Sequence, residues 1–454
     1  MKSEKKNFLG EAPIGKLMLK LAVPSIVAQV INILYNIVDR IYIGHIPEIG
    51  SLALTGVGVC FPVVTLISAF AIFAGAGGAP LAAIELGKAE TDKKALERAH
   101  GILGNVVVMI IIFSIVLPIL FELFLEPILW AFGASEKTLS YASDYLALYL
   151  SGTLFVQITI GLNPFISCQG FAKTAMVSVI VGAVANIILD PIFIFGFDMG
   201  VKGAALATII SQGLSALWIV AFLTSKKAVL RLVFQKIRLN ISVIKKIIAL
   251  GVSPFIMQAT ESAIFVVFNA ELQKYGGDLY VGAMTIMQSV MQMCFIPISG
   301  FTNGVQPIIS YNYGAQKINR VKSTIKRMLC TCFATSLFMG VLIPLFPTYI
   351  ARIFTSNLEL LSVIKIVLPI YFGAVWIFGI QMAAQSTFVG LGKAKTSLFI
   401  ALLRKVFLLI PLALIFPKFW GVNGILLAEP IASTISAVTS GILLYFTFKK
   451  LEKA

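Results

Sequence analysis

Charge is what this sequence has least of. Of 454 residues only 12% are charged, while 58% are hydrophobic, and the mean hydropathy is +0.95. That balance excludes a chain of soluble domains and points to a polytopic membrane protein. Histidine is nearly missing: His45 and His100 stand at loop edges with no HExxH or other metal-ligand spacing, so a zinc-type centre is excluded and a structural role is expected for each. The five cysteines, Cys60, Cys168, Cys294, Cys330 and Cys332, are odd in number, lie in or beside apolar stretches and form no CxxC pair. Neither a disulfide framework nor a metal site follows from them. There is no GxxxxGK[ST], hence no ATP-driven motor in this chain, and the Gly-rich GAGGAP at 75–80 lacks the strand context of a dinucleotide site. It reads instead as a break or a close-packing point within an apolar span. With no nucleophile, metal or cofactor constellation in view, the chain is not expected to be an enzyme, and no cofactor is expected.

The charge that is present is positive and unevenly placed. A net charge of +16 would suit a nucleic-acid partner, but the test for a membrane protein is where the lysines and arginines fall. Twenty-nine of the 36 fall at Lys2–Lys20, 88–98, Lys173, 226–246, 317–327, 393–405 and 449–453, which are alternate loops. The positive-inside rule places those loops and both termini in the cytoplasm, makes the number of spans even and leaves no role for nucleic acid. The apolar stretch from Leu17 runs to Ile43 with no A-x-A cleavage pattern, so it is read as a retained span rather than a signal peptide.

Windows of about 20 apolar residues place spans near 17–43, 52–86, 97–121, 138–164, 174–196, 203–223, 244–273, 280–311, 325–347, 361–389, 397–416 and 424–447. The long basic loop at 224–243 bisects the chain, giving an N-lobe of 1–223 and a C-lobe of 244–454. The halves echo each other in order: LAVPSIVAQ (21–29) with LGVSPFIMQ (250–258), APLAAIELGKA (79–89) with QPIISYNYGAQ (306–316), GFAKT (170–174) with GKAKT (392–396), and GVKGAALA (200–207) with GVNGILLA (421–428). This is a duplication of six spans. Because six is even, both copies insert in the same orientation. The fold class expected is an all-α polytopic protein of twelve transmembrane helices, in two six-helix bundles related by a pseudo-two-fold axis along the membrane normal. Transporters that rock two bundles about a central cavity are built this way.

Few polar residues interrupt the spans, and those that do are informative. A carboxylate at mid-membrane costs about 2.5–3.5 kcal/mol on insertion scales, so Asp190, inside NIILDPIFIF (186–195), calls for a function. With a rise of 1.5 Å per residue, Asp39 in span one, Asp190 in span five and Thr208 in span six all lie roughly 8–12 Å below the outer surface. Tyr35 is four residues before Asp39, and Asn186 four before Asp190, so each pair shares a helix face. Asp39, Asp190, Asn186, Tyr35 and Thr208 are thus the candidate cation-coupling residues. Their oxygens suit a proton shared between carboxylates or a sodium ion, with Asp39, Asn186, Asp190 and Thr208 as its ligands. Two blander readings compete: Asp39 as an interfacial residue with Arg40 snorkelling away, and Asp190 with Pro191 as a helix-bending device.

The second half offers Asn269 at the repeat position of Asp39 and Pro411 at that of Pro191, but no acid answering Asp190. Glu261 and Glu429 are its intramembrane acids. Gln258, Gln288, Gln292, Gln381 and Gln385 are candidates to line a cavity, with interhelical hydrogen bonding as their alternative role. Arg404 and Lys405, near the inner part of span eleven, are expected to snorkel or to meet lipid phosphate.

These residues resemble the MATE (multidrug and toxic compound extrusion) transporters. The likeness runs from APIGKLMLKLAVP (12–24) to GVNGILLAEP (421–430) and includes the six-plus-six duplication. Pro24 in span one, Tyr35 with Asp39, Asn186 with Asp190, and Thr208 in span six are similar to the bacterial DinF-like branch. The resemblance implies that these residues form an N-lobe cation-coupling network and that span one bends at Pro24 as the network is protonated. The sodium-coupling branch carries acids in spans seven and ten. Here Glu261 stands in span seven, whereas span ten has Gln381 and Gln385 and no acid. The function implied is a monomeric secondary antiporter in a bacterial plasma membrane, exporting amphipathic or cationic small molecules in exchange for H+ or Na+ by alternating access. The alternative is a flippase for a lipid-linked oligosaccharide or related precursor, which predicts a strongly basic central cavity. The mid-span segments hold few lysines or arginines for one.

Overall fold

The computed structural model describes residues 8–452, so Lys2, Lys5, Lys6 and Lys453 of the basic clusters lie outside the described residues. A short α1 (Phe8–Glu11) leads into α2 (Ile14–Gly44), α3 (Gly50–Lys88) and α4 (Lys93–Leu123). After α5 (Leu125–Ala131) come α6 (Leu139–Ser151), α7 (Thr153–Ser167), α8 (Ala172–Pro191) and α9 (Gly200–Thr224). The second half runs through α10 (Ile241–Gly276), α11 (Asp278–Gly314), α12 (Ile318–Leu345), α13 (Pro347–Ala351) and α14 (Leu358–Tyr371). It ends with α15 (Val375–Gly390), α16 (Ala394–Leu402), α17 (Ile410–Ile415) and α18 (Pro417–Glu452). Asn and Asp side chains start several of these helices: Asp92 Oδ1 accepts from the Lys94 amide at 2.9 Å, and Asn240 Oδ1 from Ser242 at 3.0 Å.

Among the described residues ten helices are long and apolar enough to cross a bilayer, and counting each of two bent pairs, α6 with α7 at 59° and α14 with α15 at 49°, as one span brings the number to twelve. The two spans read from the sequence as continuous, 138–164 and 361–389, are the ones that break. Each breaks at a glycine, Gly152 or Gly373. Apolar periodicity is blind to such a bend because both halves of the helix stay apolar.

The duplication is visible in backbone geometry. The bent pairs are the fourth and tenth spans, six apart. Gly170 and Gly392 hold φ of 88° and 70° in the matching turns, and Gly200 and Gly421 hold 53° and 54° where the sixth and twelfth spans begin. A π-helical turn follows Pro191 at Ile192–Gly196, and another, Leu403–Leu409, precedes Pro411.

Helix α3 passes through GAGGAP without a break, so close packing is the reading that holds. The backbone of Gly75 lies against that of Gly161, and Gly77 against Ile247 and Gly251 of the other half. The halves meet where α3 packs on α10 and α11, and α2 on α11. Gly87 abuts Tyr311, Gly314 abuts Ile84, and Gly304 abuts Ala22, contacts too close for any added Cβ. Near the basic loops the Tyr311 hydroxyl donates to Glu90 Oε1 at 2.9 Å and Lys317 Nζ lies 2.8 Å from Glu90 Oε2. Asn312 and Arg320 there hold the carbonyls of Leu9 and Ala12, at 3.0 and 2.7 Å. Farthest from those loops are the Phe70–Phe255 ring contact at 5.0 Å and the Ser299 hydroxyl donating to Gln29 at 2.7 Å. These cross-half contacts run from the basic-loop ends of the helices to about their midpoints.

Candidate functional site

Helix α2 delivers Tyr35 and Asp39 to the interior of the first bundle, and α8 delivers Asn186 and Asp190 opposite them. Asn186 Nδ2 donates to Asp190 Oδ1 at 3.1 Å. Asp190 is fully buried at 0% exposure, Asn186 at 1% and Asp39 at 9%. The Asp39 and Asp190 carboxyl groups are neighbours, each close enough to act on the other's charge. Arg40, next in sequence to Asp39, turns the other way and lies 5.6 Å from the Phe61 ring, so it does not neutralise the pair directly. Asp190 also sits where the helix stops being regular. Pro191 has no N–H to return to the turn before it, and the π-turn Ile192–Gly196 follows.

Two groups that were not among the expected site residues complete the pocket. Helix α9 supplies Ser211 and Gln212, one turn beyond the half-buried Thr208, and Gln212 faces the Tyr35 hydroxyl. Helix α6 supplies Tyr145 and Tyr149, stacked with centroids 6.1 Å apart and rings 14° from parallel, and Tyr145 borders Asp39. The i,i+4 spacing of these tyrosines repeats that of Tyr35 and Asp39, and it was the available signal. Asp39 Oδ1, Asp190 Oδ2, Asn186 Oδ1, Gln212 Oε1 and Ser211 Oγ are all buried with no hydrogen-bond partner. Orphaned buried polar atoms are costly, and four of these five can only accept. Such a set fits a proton or a small cation held by hard oxygen ligands. Among the described residues no group of three or more His, Cys, Asp and Glu is gathered to hold a metal ion.

Helix α2 continues unbroken through Pro24, beside a cavity of about 110 Å³ that Ser25, Ala28, Asn163, Met176 and Gly304 also line. His45 places Nδ1 2.7 Å from the Ile41 carbonyl, closing the end of α2.

The second bundle corrects one expectation. Arg404 and Lys405 do not snorkel to lipid; each is 5% exposed and turned into the bundle. Arg404 Nη2 donates to Glu429 Oε1 at 2.7 Å, Ser433 Oγ donates to the same oxygen at 2.9 Å, and the guanidinium lies 4.6 Å from the Phe378 ring. Lys405 Nζ donates to Glu261 Oε2 at 2.6 Å. The wide turn Leu403–Leu409 aims both cations inward where a regular helix would spread neighbours about 100° apart. Sequence could not show that two acids on other helices were waiting for them.

The amides divide. Gln385 bonds to Ser397 Oγ at 2.8 Å and to Ser253, tying α15 to α16 and α10, which is the interhelical role. Gln381 is 1% exposed with Oε1 unpartnered, and Asn269 Oδ1 is likewise buried and unpartnered. Gln258 and Gln288 are half-buried and Gln292 is exposed.

The MatE family profile matches residues 24–192 and 254–415 of the chain. The multidrug export protein MepA of Staphylococcus aureus (strain MSSA476) is 24% identical over 453 residues, covering 99% of this chain and 98% of that protein. An outward-facing multidrug resistance MATE family transporter of the MOP superfamily superposes with a TM-score of 0.88 at 22% identity, over 98% of each chain. A MOP superfamily transporter from Pyrococcus furiosus, whose binding pocket has reverse polarity, superposes at 0.90 with 21% identity, over 100% of this chain and 99% of the other. At these identities the superpositions establish the shared fold.

Proposed function

The chain belongs to the MatE family, and from that premise we propose that it is a secondary antiporter. It exports amphipathic, cationic small molecules across a bacterial plasma membrane in exchange for H+ or Na+. The lobes are 1–223 and 244–454, the basic loops and both termini face the cytoplasm, and one chain suffices for transport.

The observation that carries this reading is the Asp39/Asp190 pair. Two carboxylates facing each other in a site walled from water cannot both carry charge unless a cation joins them. A bound proton or sodium ion satisfies the orphaned oxygens, and its departure leaves them in need of another arrangement. The ion therefore binds one conformation better than the other, and that differential affinity is all a coupling device requires. Pro24, lacking the N–H that would bond to the Lys20 carbonyl, weakens α2 at the level of the neighbouring cavity and gives that helix somewhere to bend. Substrate and ion then exchange as the lobes close on one side of the membrane and open on the other.

A flippase for a lipid-linked anion needs an unneutralised basic cavity. Among the described residues the buried cations, Arg404 and Lys405, are each paired with an acid, which favours export of cations.

The test is efflux from proteoliposomes with a proton gradient and a sodium gradient imposed separately, for wild type, Asp39→Asn and Asp190→Asn. One gradient should drive efflux, and each variant should lose gradient-driven transport while still binding substrate. Wild-type efflux by both variants would make the pair structural.

A further inference from the structure

The loop that joins the two halves is an ordered strap. Gln169 accepts the Val229 and Leu230 amides at 2.9 and 2.8 Å, Leu230 is fully buried, and Asn105 Oδ1 accepts the Asn240 amide at 2.7 Å. Between those anchors the carbonyl of Lys236 lies against the backbone of Gly104, where a Cβ would collide with it. That contact fixes the depth of the loop. In α4 the run 101–121 carries no charged residue. At 1.5 Å per residue it is about 31 Å long, close to the roughly 30 Å of a hydrocarbon core. Gly104 lies about 4–5 Å inside the end of that run by the same rise. The turn Phe234–Lys236 therefore sits at the edge of the hydrocarbon and not out in water.

Three large apolar side chains of this loop and the first residue of α10 are left uncovered. Phe234 is 90% exposed, Ile241 63% and Leu239 58%. The charge around them has one sign. The segment 224–246 contains no Asp or Glu, and among the described residues Lys236 alone of its cations has an ion pair, with Glu97 at 3.6 Å. Lys226, Lys227, Arg238, Lys245 and Lys246 are exposed. A nucleic acid or an acidic protein would meet these cations but could not cover apolar groups at the edge of the hydrocarbon. A phospholipid with an anionic headgroup carries both halves of the match.

We infer that the inter-lobe loop is a docking surface for anionic phospholipid of the leaflet it borders. Phe234, Leu239 and Ile241 seat among the acyl chains, while Arg238, Lys245 and Lys246 take the phosphates. Because Gln169 and Asn105 already hold the loop, lipid binds without having to order it.

Quenching by brominated lipid tests this on the full-length chain in nanodiscs. A bimane label on Phe234→Cys, with the five native cysteines replaced, is read against brominated phosphatidylglycerol and brominated phosphatidylcholine at the same low mole fraction. Phosphatidylglycerol should quench at least about fivefold more effectively, since each nearby Lys or Arg favours an anionic lipid by roughly that factor. In the triple variant Arg238→Gln, Lys245→Gln, Lys246→Gln the ratio should fall towards one, with quenching by phosphatidylcholine unchanged. A label on the exposed Arg352→Cys, at the opposite ends of the spans, should show no preference. A label at 234 that neither lipid quenches would put the loop in water and overturn the inference, as would equal quenching by the two lipids. Both readings come from the parent protein and stand whether or not the triple variant folds. A preference that survives in the triple variant, with the parent's melting temperature, also overturns it. So does a preference that inorganic phosphate or a DNA oligonucleotide abolishes, which would make the patch a site for soluble anions.

Discussion

Replacing Glu90 by glutamine should release the seal between the lobes. Glu90, just past the end of α3, takes the Tyr311 hydroxyl and the Lys317 ammonium from the other lobe, and the Lys317 and Glu90 side chains are 29% and 19% exposed. Glutamine keeps the shape and one acceptor but removes the charge. A bond to a charged group is worth about 1.5–3 kcal/mol and a neutral one about 0.5–1.5, so two bonds lose about 2 kcal/mol, reduced to about 1–2 by partial exposure. Both bonds exist only while the basic-loop ends of the lobes are together, so the loss falls on one state and shifts the balance between states roughly 5–30-fold. Spin labels at Lys94 and Lys326, in a cysteine-free background, would read the distance between the lobes at that end. A longer distance should gain population in Glu90→Gln. An unchanged distribution would show that the glycine contacts at Gly87 and Gly314 hold the seal alone.

Two further outcomes follow from packing and charge. Arg404→Met should destabilise the protein by about 3–5 kcal/mol, because Glu429 stays buried without its cation, while Arg404→Met with Glu429→Gln should recover most of the loss in a thermal melt; equal melting of both would mean water already solvates Glu429. Gln169 Oε1 accepts from the amides of Val229 and Leu230 at 2.9 and 2.8 Å, and its Nε2 donates to the Phe165 carbonyl at 2.7 Å, pinning the inter-lobe loop to the first lobe. Gln169→Leu should therefore speed trypsin cleavage at Arg231 and Arg238 severalfold, with transport by the intact protein little changed.

What could be read without coordinates was whatever repeats locally. Span number, the duplication and the shared depth of Asp39 and Asp190 all follow from periods of a few residues and a fixed rise per residue, and the structure places those two acids against each other. What escaped was set by tertiary partners or by irregular backbone. Gln212 and Tyr145 are ordinary polar residues until α6 and α9 bring them to the acids. The inward turn of Arg404 and Lys405 depends on seven π-helical residues, and nothing in the order of side chains distinguishes that segment from a regular helix.

The error about Arg404 and Lys405 bears on how the two lobes divide the work. The copies kept the same bends, glycines and π-turns, yet their buried chemistry has gone opposite ways. In the first lobe two acids face each other without a basic partner of their own. In the second, Glu261 and Glu429 are matched one to one by Lys405 and Arg404. A net-negative interior must take a mobile cation to satisfy itself, whereas a neutral one changes only when something competes for a member of a pair. On that reasoning ion coupling belongs to the first lobe. Neutralising Asp190 should therefore abolish ion-dependent opening of the lobes, and neutralising Glu261 should leave it intact. If Glu261→Gln abolished ion-dependent opening as Asp190→Asn does, the second lobe would take part in coupling and the division would be wrong.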